Sequence, residues 1–555
     1  MCTKNLDTTL IENKLATITT LVEKIKSVNS LKDKLAIVNS QGTVNDFLSK
    51  SLALNTLLQD LKPEYEYIVK VLIAIGQGPI FFSKIDLLSH PHESFLDLLN
   101  RLSEVETFYR ALGGLAGYYH TVIALIDEKE KPQIEKFTNE HYYRPIGIDL
   151  STDQIAQRAA VRWAIENLPL LAHICPIGGA GDRLKLLDEN SQEPLPVAFL
   201  QVGGFSLLEG IVRDLQGIEF LYWKIFNKQL IVPLALMTSE EKNNDHHIKS
   251  LCEKLNYFNR KKESFRQFLQ PLVPVITEEG NFALSSSLKL ILKPGGHGVL
   301  WRLAIENNIF GWFESLGKKK LLVRQINNPV AATDAGIWAL VGFGQHQHKA
   351  FGFLSCDRLI GAAEGMLAVK ETSEADAFQY CLTNIEYTDF AAKGLTDSPK
   401  VEGSHYSAFP ANTNILFADI AALSEAISSD PVPGMIVNMK SKFLHLDQNG
   451  NLKESRGGRL ESMMQNIADS FIDKSSAKLN HEIQANLHSY IVYEKREKVI
   501  SVTKNKFTPK KPINETPEGC FYDQICNAYD LLSNYCKILL PALQTPDNFM
   551  MHGPE

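Results

Sequence analysis

The sequence predicts an α/β protein with a mostly parallel sheet, preceded by an α-helical N-terminal domain and followed by a small C-terminal domain. Two observations carry this expectation. From Asp7 to Leu112 apolar residues recur at helical spacing, as in Leu48, Leu52, Leu54, Leu57, Leu58 and Leu61, with Lys and Glu between them. After Pro169 the texture changes to short apolar runs separated by Gly and polar turns, alternating with helical patterns. Residues 141–150 break the first pattern, so the expected domains are 1–145, 146–470 and 471–555.

Ser151 and Thr152 can cap a helix that runs to Pro169, with Gln154 completing a capping box. Strands are expected at 170–177, 230–237, 320–325, 337–343, 351–354 and 414–417. Ser206 and Glu209 form a second capping box ahead of a helix over 210–215. The tail reads as a strand at 490–493, a basic loop at 504–511 and a helical stretch at 521–540. No repeat of solenoid or propeller period is present.

Composition narrows the function classes. With 555 residues, 44% hydrophobic and 22% charged, the chain can bury a large core. The 57 Lys and Arg against 64 Asp and Glu give −7, no field to gather nucleic acid or an anionic membrane. The longest apolar stretch, 67–82, is broken by Lys70 and by Gly76-Gln77-Gly78-Pro79, so no membrane span is expected. Met1-Cys2-Thr3-Lys4-Asn5 lacks the apolar segment of a secretory signal, and none of the eight cysteines forms a C-x-x-C, which together predict a cytoplasmic protein with reduced thiols. His246-His247 and His346-Gln347-His348 have no third ligand at metal spacing and read as solvated loops. The oligomeric state is not legible.

The strongest local signal is His173-Ile174-Cys175-Pro176-Ile177-Gly178-Gly179-Ala180-Gly181-Asp182-Arg183. A strand that ends in a glycine turn can aim backbone N–H groups at an anion, and Arg183 can grip phosphate oxygens beside it. The turn is not a P-loop, because no Gly-Lys-Ser/Thr follows, and it lacks the third glycine of the dinucleotide fingerprint.

Further segments follow in a particular order: Pro194–Glu209 with its Gly203-Gly204 turn, Pro233–Ser239, Gln270-Pro271, Lys293-Pro294-Gly295-Gly296-His297-Gly298, Gln325-Ile326-Asn327-Asn328 up to Asp334, Glu386-Tyr387, Asn412-Thr413-Asn414, Val437–Lys440 and Arg459-Leu460-Glu461. In this order and spacing the stretch from about 170 to 470 resembles the UDP-sugar pyrophosphorylases, most of all their plastid-type UDP-glucose branch. The resemblance implies a Rossmann-like nucleotidyltransferase (GT-A-like) core and a reaction between UTP and a sugar 1-phosphate. It implies nucleotide contacts at Gly178, Gly179, Gly181, Gln270, Gly296, His297 and Asn328, and sugar contacts at Glu386, Asn412 and Asn414. Arg183 and Lys440 would carry the catalytic charge, and Asn327 and Asp334 would face Mg²⁺. Two positions depart from the pattern: Val197 stands where a lysine is usual, and Asn327 where an aspartate holds the metal. Glucose 1-phosphate is the expected sugar, with N-acetylglucosamine 1-phosphate, or a catalytically weak UDP-sugar-binding protein, as alternatives.

Overall fold

The computed structural model describes residues 8–85, 91–130, 139–179, 181, 183–189, 191–330, 335–374, 377–447, 449–509 and 512–546. The chain divides into two units that do not follow the serial cuts expected from texture. Unit 1 comprises 1–134, 271–297 and 434–463; unit 2 comprises 135–270, 298–433 and 464–555.

Unit 2 is built on one twelve-stranded sheet. In chain order its strands are β1 (Glu140–Tyr143), β2 (Ile148–Asp149), β3 (Leu171–Pro176), β4 (Leu234–Thr238), β5 (Phe265–Leu269), β6 (Lys320–Val323), β7 (Phe351–Cys356), β8 (Met366–Ser373), β9 (Phe378–Ile385), β10 (Ala411–Asp419), β11 (Asp473–Ser475) and β12 (Ser489–Tyr493). Strands β3, β4 and β7 are buried at every position, the pattern of a sheet covered on both faces. The main path runs β2-β12-β7-β10-β6-β3-β4-β5. All its neighbours pair in parallel except β10, which is antiparallel to both β6 and β7.

The strands expected near 170, 230, 320, 351, 414 and 490 are present. The run 337–343 is a correction: it lies in the helix Gly336–His346. A wholly apolar stretch satisfies either period when it is buried on all sides. This helix packs on the helix Gln154–Glu166 so closely that a Cβ at Gly342 would overlap the Ala160 carbonyl. The cap of Gln154–Glu166 is Asp153, whose Oδ1 accepts from Ile155 and Ala156 N–H, whereas Ser151 bonds Asp149. Ser206 caps its helix as expected, accepting from Glu209 N–H at 3.2 Å, and that helix extends over Leu207–Phe226. Residues 141–150 supply β1 and β2, and the tail supplies β11, β12 and the helix Pro517–Asp530.

In unit 1 the helices Thr8–Lys26, Pro63–Ala74 and Pro91–Phe108 fall within the expected helical stretch and Gly114–Glu130 extends it, with Leu72, Leu99, Leu102, Tyr118 and Tyr119 in the core. They do not form a domain alone. Tyr118 Oη donates to Pro274 O, Tyr119 Oη donates to Gly280 O at 2.7 Å, and Gln77 donates to Gly280 O while accepting from Phe282 N–H. The apolar face of the helices is thus completed by chain segments that return from later in the sequence.

Candidate functional site

In an open parallel sheet ligands bind beyond the carboxyl ends of the strands, where the strand order reverses. Here β4 and β5 extend from β3 to one side, and β6 lies on the other side of β3, so the reversal falls between β3 and β6. The glycine turn follows β3, and Asn327 and Asn328 follow β6, with Ile174 and Val323 in register. Gln270 follows β5 directly. Since β10 runs the opposite way, its first residues, Asn412 and Asn414, come to this same edge. Glu386 follows β9, whose Ile385 is opposite Met366, itself opposite Ala411. Topology alone therefore gathers the candidate residues of unit 2 on one rim.

The turn is anchored by its neighbours. Ser239 Oγ donates to Gly178 O at 2.9 Å, and Asn244 Nδ2 donates to Ile177 O at 3.1 Å. Gly178 is buried, and a Cβ there would overlap Gln270 Nε2, so the glycine lets the glutamine amide lie against the turn. Gln270 is 6% exposed and its N–H donates to Thr238 O. Gly181 has φ +59°, the left-handed region glycine enters without strain. Gly179 is exposed, and Arg183 is exposed two residues beyond Gly181. Val197, at the position where a lysine would be usual, packs its side chain over Gly179 and Gly181. The turn therefore meets an apolar wall on that side, with Arg183 as its nearby guanidinium.

Asn327 and Asn328 have separate uses. Asn328 is buried, its Nδ2 donating to Val499 O at 2.8 Å and its Oδ1 accepting from Ser501 N–H at 3.0 Å. That amide ties the loop after β6 to the segment before the last helix. Asn327 is half-buried and its carbonyl accepts from Thr503 N–H at 2.8 Å. Asp334 lies outside the described residues. Among those described, no three His, Cys, Asp or Glu gather as a metal site. Asn327 can offer one neutral oxygen, which does not make a cage for a resident divalent ion.

The sugar candidates are pre-positioned by their own hydrogen bonds. Asn412 Nδ2 donates to Asn414 Oδ1 and Asn412 Oδ1 accepts from Asn414 N–H, both at 2.9 Å. Asn414 stands at φ +57° where the β7–β10 register slips, a conformation that asparagine tolerates better than most residues. Glu386 accepts from Asn384 Nδ2 at 2.8 Å and from Gln465 Nε2 at 3.3 Å. Burial pushes its carboxyl pKa up despite the Asn384 bond, and nearby Asp389 adds to the rise.

Gly296, His297 and Lys440 belong to unit 1. Gly296 has φ +89°, and a Cβ there would stand 2.7 Å from Ser462 O. Ser462 N–H donates to Gly295 O, and Arg459 Nε donates to Pro294 O at 3.0 Å. The strands Ile436–Val437 and Leu460–Glu461 pair; the segment carrying Lys440 continues from the Val437–Leu460 end of this ladder, and the Gly295-Gly296 turn meets Ser462 at the Ile436–Glu461 end. Lys440 is exposed and its N–H donates to Asn438 Oδ1. His297 is half-buried, and loss of hydration holds its imidazole down at about 4, neutral at pH 7.

Sequence reasoning quoted Ser239 within Pro233–Ser239 but gave it no role, and passed over Asn244, although Ser239 follows β4 as the glycines follow β3. It also passed over a buried set behind the rim. Arg324, directly after β6, pairs with Asp214 at 2.7 Å, and His173 on β3 is fully buried between Arg324 and Arg260.

Comparison with known proteins places this geometry. The family described as UTP–glucose-1-phosphate uridylyltransferase matches residues 215–514, more than half of the 555. The chain is 39% identical over 480 residues to UTP–glucose-1-phosphate uridylyltransferase 3, chloroplastic, of Arabidopsis thaliana, covering 83% of this chain and 54% of that protein. The chain thus spans about half the length of this curated relative. Among solved structures, a putative UDP-N-acetylglucosamine pyrophosphorylase of Entamoeba histolytica matches with a TM-score of 0.56 and 19% identity, over 73% of this chain and 92% of that one. The uridine diphosphate N-acetylglucosamine pyrophosphorylase of Trypanosoma brucei matches with 0.55 and 15%, over 89% and 84%. At these identities the structures establish the fold, a nucleotidyltransferase-like α/β core, and no more.

Proposed function

Because the chain belongs to the UTP–glucose-1-phosphate uridylyltransferase family, we propose that it joins UTP and glucose 1-phosphate to give UDP-glucose and pyrophosphate. The observation that carries this reading is the glycine turn at the reversal of strand order, with Gln270 held against Gly178. Turn amides at Gly178, Gly179 and Gly181 would cradle the nucleotide phosphates. Gln270 presents an amide donor and acceptor suited to a pyrimidine edge, and nucleotide contacts are part of the proposal for Gly296 and His297 too.

In the proposed reaction a phosphate oxygen of the sugar phosphate attacks the α-phosphorus in line as pyrophosphate leaves. That oxygen is already ionised, so no general base and no covalent intermediate are required. Positioning and charge neutralisation do the catalysis. Arg183 would neutralise the leaving pyrophosphate and Lys440 the phosphates about the reacting centre. Asn327, which offers one neutral oxygen, and Asp334 would face Mg²⁺, which when bound would supply positive charge at the phosphates. Glu386, Asn412 and Asn414 would take the hexose hydroxyls. Asn328 contributes by holding the loop.

The buried free thiols of Cys175, Cys252, Cys356, Cys381 and Cys520 fit a reducing compartment, and a cytoplasmic site of action is part of the proposal. Among the described residues no helix is long and apolar enough to cross a membrane. One observation favours a second reading, a UDP-sugar-binding protein with weak turnover: Val197 puts a methyl-lined wall where a cation is usual. Pyrophosphate release measured with UTP and a panel of sugar 1-phosphates separates the two. Turnover dependent on glucose 1-phosphate supports the transferase; UDP-glucose binding with no pyrophosphate release supports the binder.

A further inference from the structure

Unit 2 has a second cavity on the same rim as the proposed active site. It lies at the carboxyl ends of β2, β7 and β12, on the other side of β10 from the glycine turn. Along the sheet, β12 is four strands from β3, roughly 19 Å at about 4.8 Å per strand. The cavity measures about 500 Å³, within the range of small-molecule sites.

Its charges are matched in place. Arg144 Nη2 and Lys400 Nζ share one carboxylate oxygen of Asp357, at 3.9 and 3.1 Å. Arg496 is held by Glu364, with Nη1 to Oε2 at 2.9 Å, and also donates to Asp357 O. Lys495 is bracketed in the lining by Glu494 and Glu497. With Arg144, Lys400, Lys495 and Arg496 lined up against Asp149, Asp357, Glu494 and Glu497, the lining has no excess charge to hold a phosphate or sulfate. It offers donors next to acceptors, which is what hydroxyl groups require, because each both donates and accepts.

Two tyrosines add apolar faces. Tyr493 Oη donates to Pro145 O at 2.7 Å, which fixes its ring, and the Arg144 guanidinium lies 5.9 Å from the ring centroid. Tyr406 is 38% exposed at the mouth. A fixed Tyr493 ring and the Tyr406 ring among these charges suit the C–H faces and the hydroxyl edges of a pyranose together.

We propose that this cavity is a second binding site, for an uncharged sugar of mono- or disaccharide size. It is independent of the transferase reading. The test uses the full chain and saturation-transfer NMR with maltose, sucrose and glucose, each with and without saturating UDP-glucose, and with inorganic phosphate as the anionic control. The expected result is binding of at least one of the three sugars in the roughly millimolar range, unchanged by UDP-glucose. Tyr406→Ala and Lys400→Ala, both at exposed positions, should each weaken it at least about tenfold while UDP-glucose formation stays at the wild-type rate. Three outcomes overturn the site: none of the sugars binds, UDP-glucose displaces them, or phosphate binds in their place. Failure of pyrophosphate release with sugar binding intact would count against the transferase reading alone.

Discussion

Gln270 Nε2 lies where a Cβ on Gly178 would have to be, so the turn after β3 and the residue after β5 are fitted to each other. If Gln270 reads the uracil edge, its position depends on that absent methyl group. Gly178→Ala should therefore displace the amide and lower kcat/KM for UTP by about tenfold or more, mostly through KM. Gly179→Ala meets only Val197 at 3.7 Å and should leave the melting temperature unchanged. Steady-state kinetics on both variants decide it: equal loss, or none, would sink the proposed role of Gln270.

Arg183 is exposed beside the turn, so its removal leaves no cavity. Arg183→Ala should cost about 2–4 kcal/mol of transition-state stabilisation, the effect of losing one preorganised donor, with no change in thermal midpoint. Near wild-type kcat/KM would remove it from the catalytic set.

His173 gives a pH prediction. It is fully buried, neither ring nitrogen has a hydrogen-bond partner among the described residues, and burial, then the Arg324 and Arg260 guanidiniums, hold its pKa well below the usual 6.5. A depressed pKa means that the unfolded chain binds a proton which the folded chain does not. The stability from this difference is complete above about pH 6.5 and is lost as pH falls toward the folded pKa, at about 1.4 kcal/mol per pH unit for one proton. His173→Leu should flatten the unfolding free energy between about pH 6.5 and 5 relative to wild type. Parallel pH profiles for the two proteins would show that His173 does not take part.

Some of this was legible in the sequence and some was not, for definite reasons. The glycine turn, the Ser206 cap and most buried strands announce themselves through local chemistry. The helix Gly336–His346 does not, because a helix enclosed by β7, β10, β12 and the helix Gln154–Glu166 needs no polar face and so loses its period. The returns at 271–297 and 434–463 are long-range events that no local pattern records. Asn328 matched a family motif, yet its amide is spent on Val499 and Ser501.

The N-terminal helices illustrate the consequence. A chain beginning near Ile146 would lack all of these helices. In the structure it would strip Val273, Val275, Ile276 and Phe282, all fully buried, of the helices that share their unit, and leave the Pro274 and Gly280 carbonyls without their tyrosines. Such a truncation should aggregate or lose cooperative unfolding. A monodisperse, cooperatively melting fragment would show that the helices are dispensable.

Mg²⁺ dependence tests Asn327. A neutral amide adds no charge to a metal site, so the triphosphate would have to supply most of it. Asn327→Asp should lower the free Mg²⁺ needed for half-maximal rate, by about tenfold if the new carboxylate reaches the ion. An unchanged half-saturation would mean that residue 327 faces elsewhere.

The choice of sugar rests on Glu386 and on Asn412 with Asn414. The two asparagines hold each other in one geometry, the second in a left-handed conformation, and so present a fixed polar edge. Glu386 is braced by Asn384 and Gln465, with burial raising its pKa. A fixed polar array favours a ligand that presents a hydroxyl at each contact over one that presents an apolar group there. An acetamido group at the 2-position would need an apolar recess, and the named side chains around this edge are amides and a carboxylate. Glucose 1-phosphate should therefore be used in preference to N-acetylglucosamine 1-phosphate. Equimolar competition under limiting UTP, with the two UDP-sugars separated and quantified, measures it directly. Glu386→Gln keeps the size but removes the charge, and should reduce use of glucose 1-phosphate through KM for the sugar while KM for UTP holds. A predominance of UDP-N-acetylglucosamine, or a Glu386→Gln effect confined to UTP, would reassign this edge of the sheet.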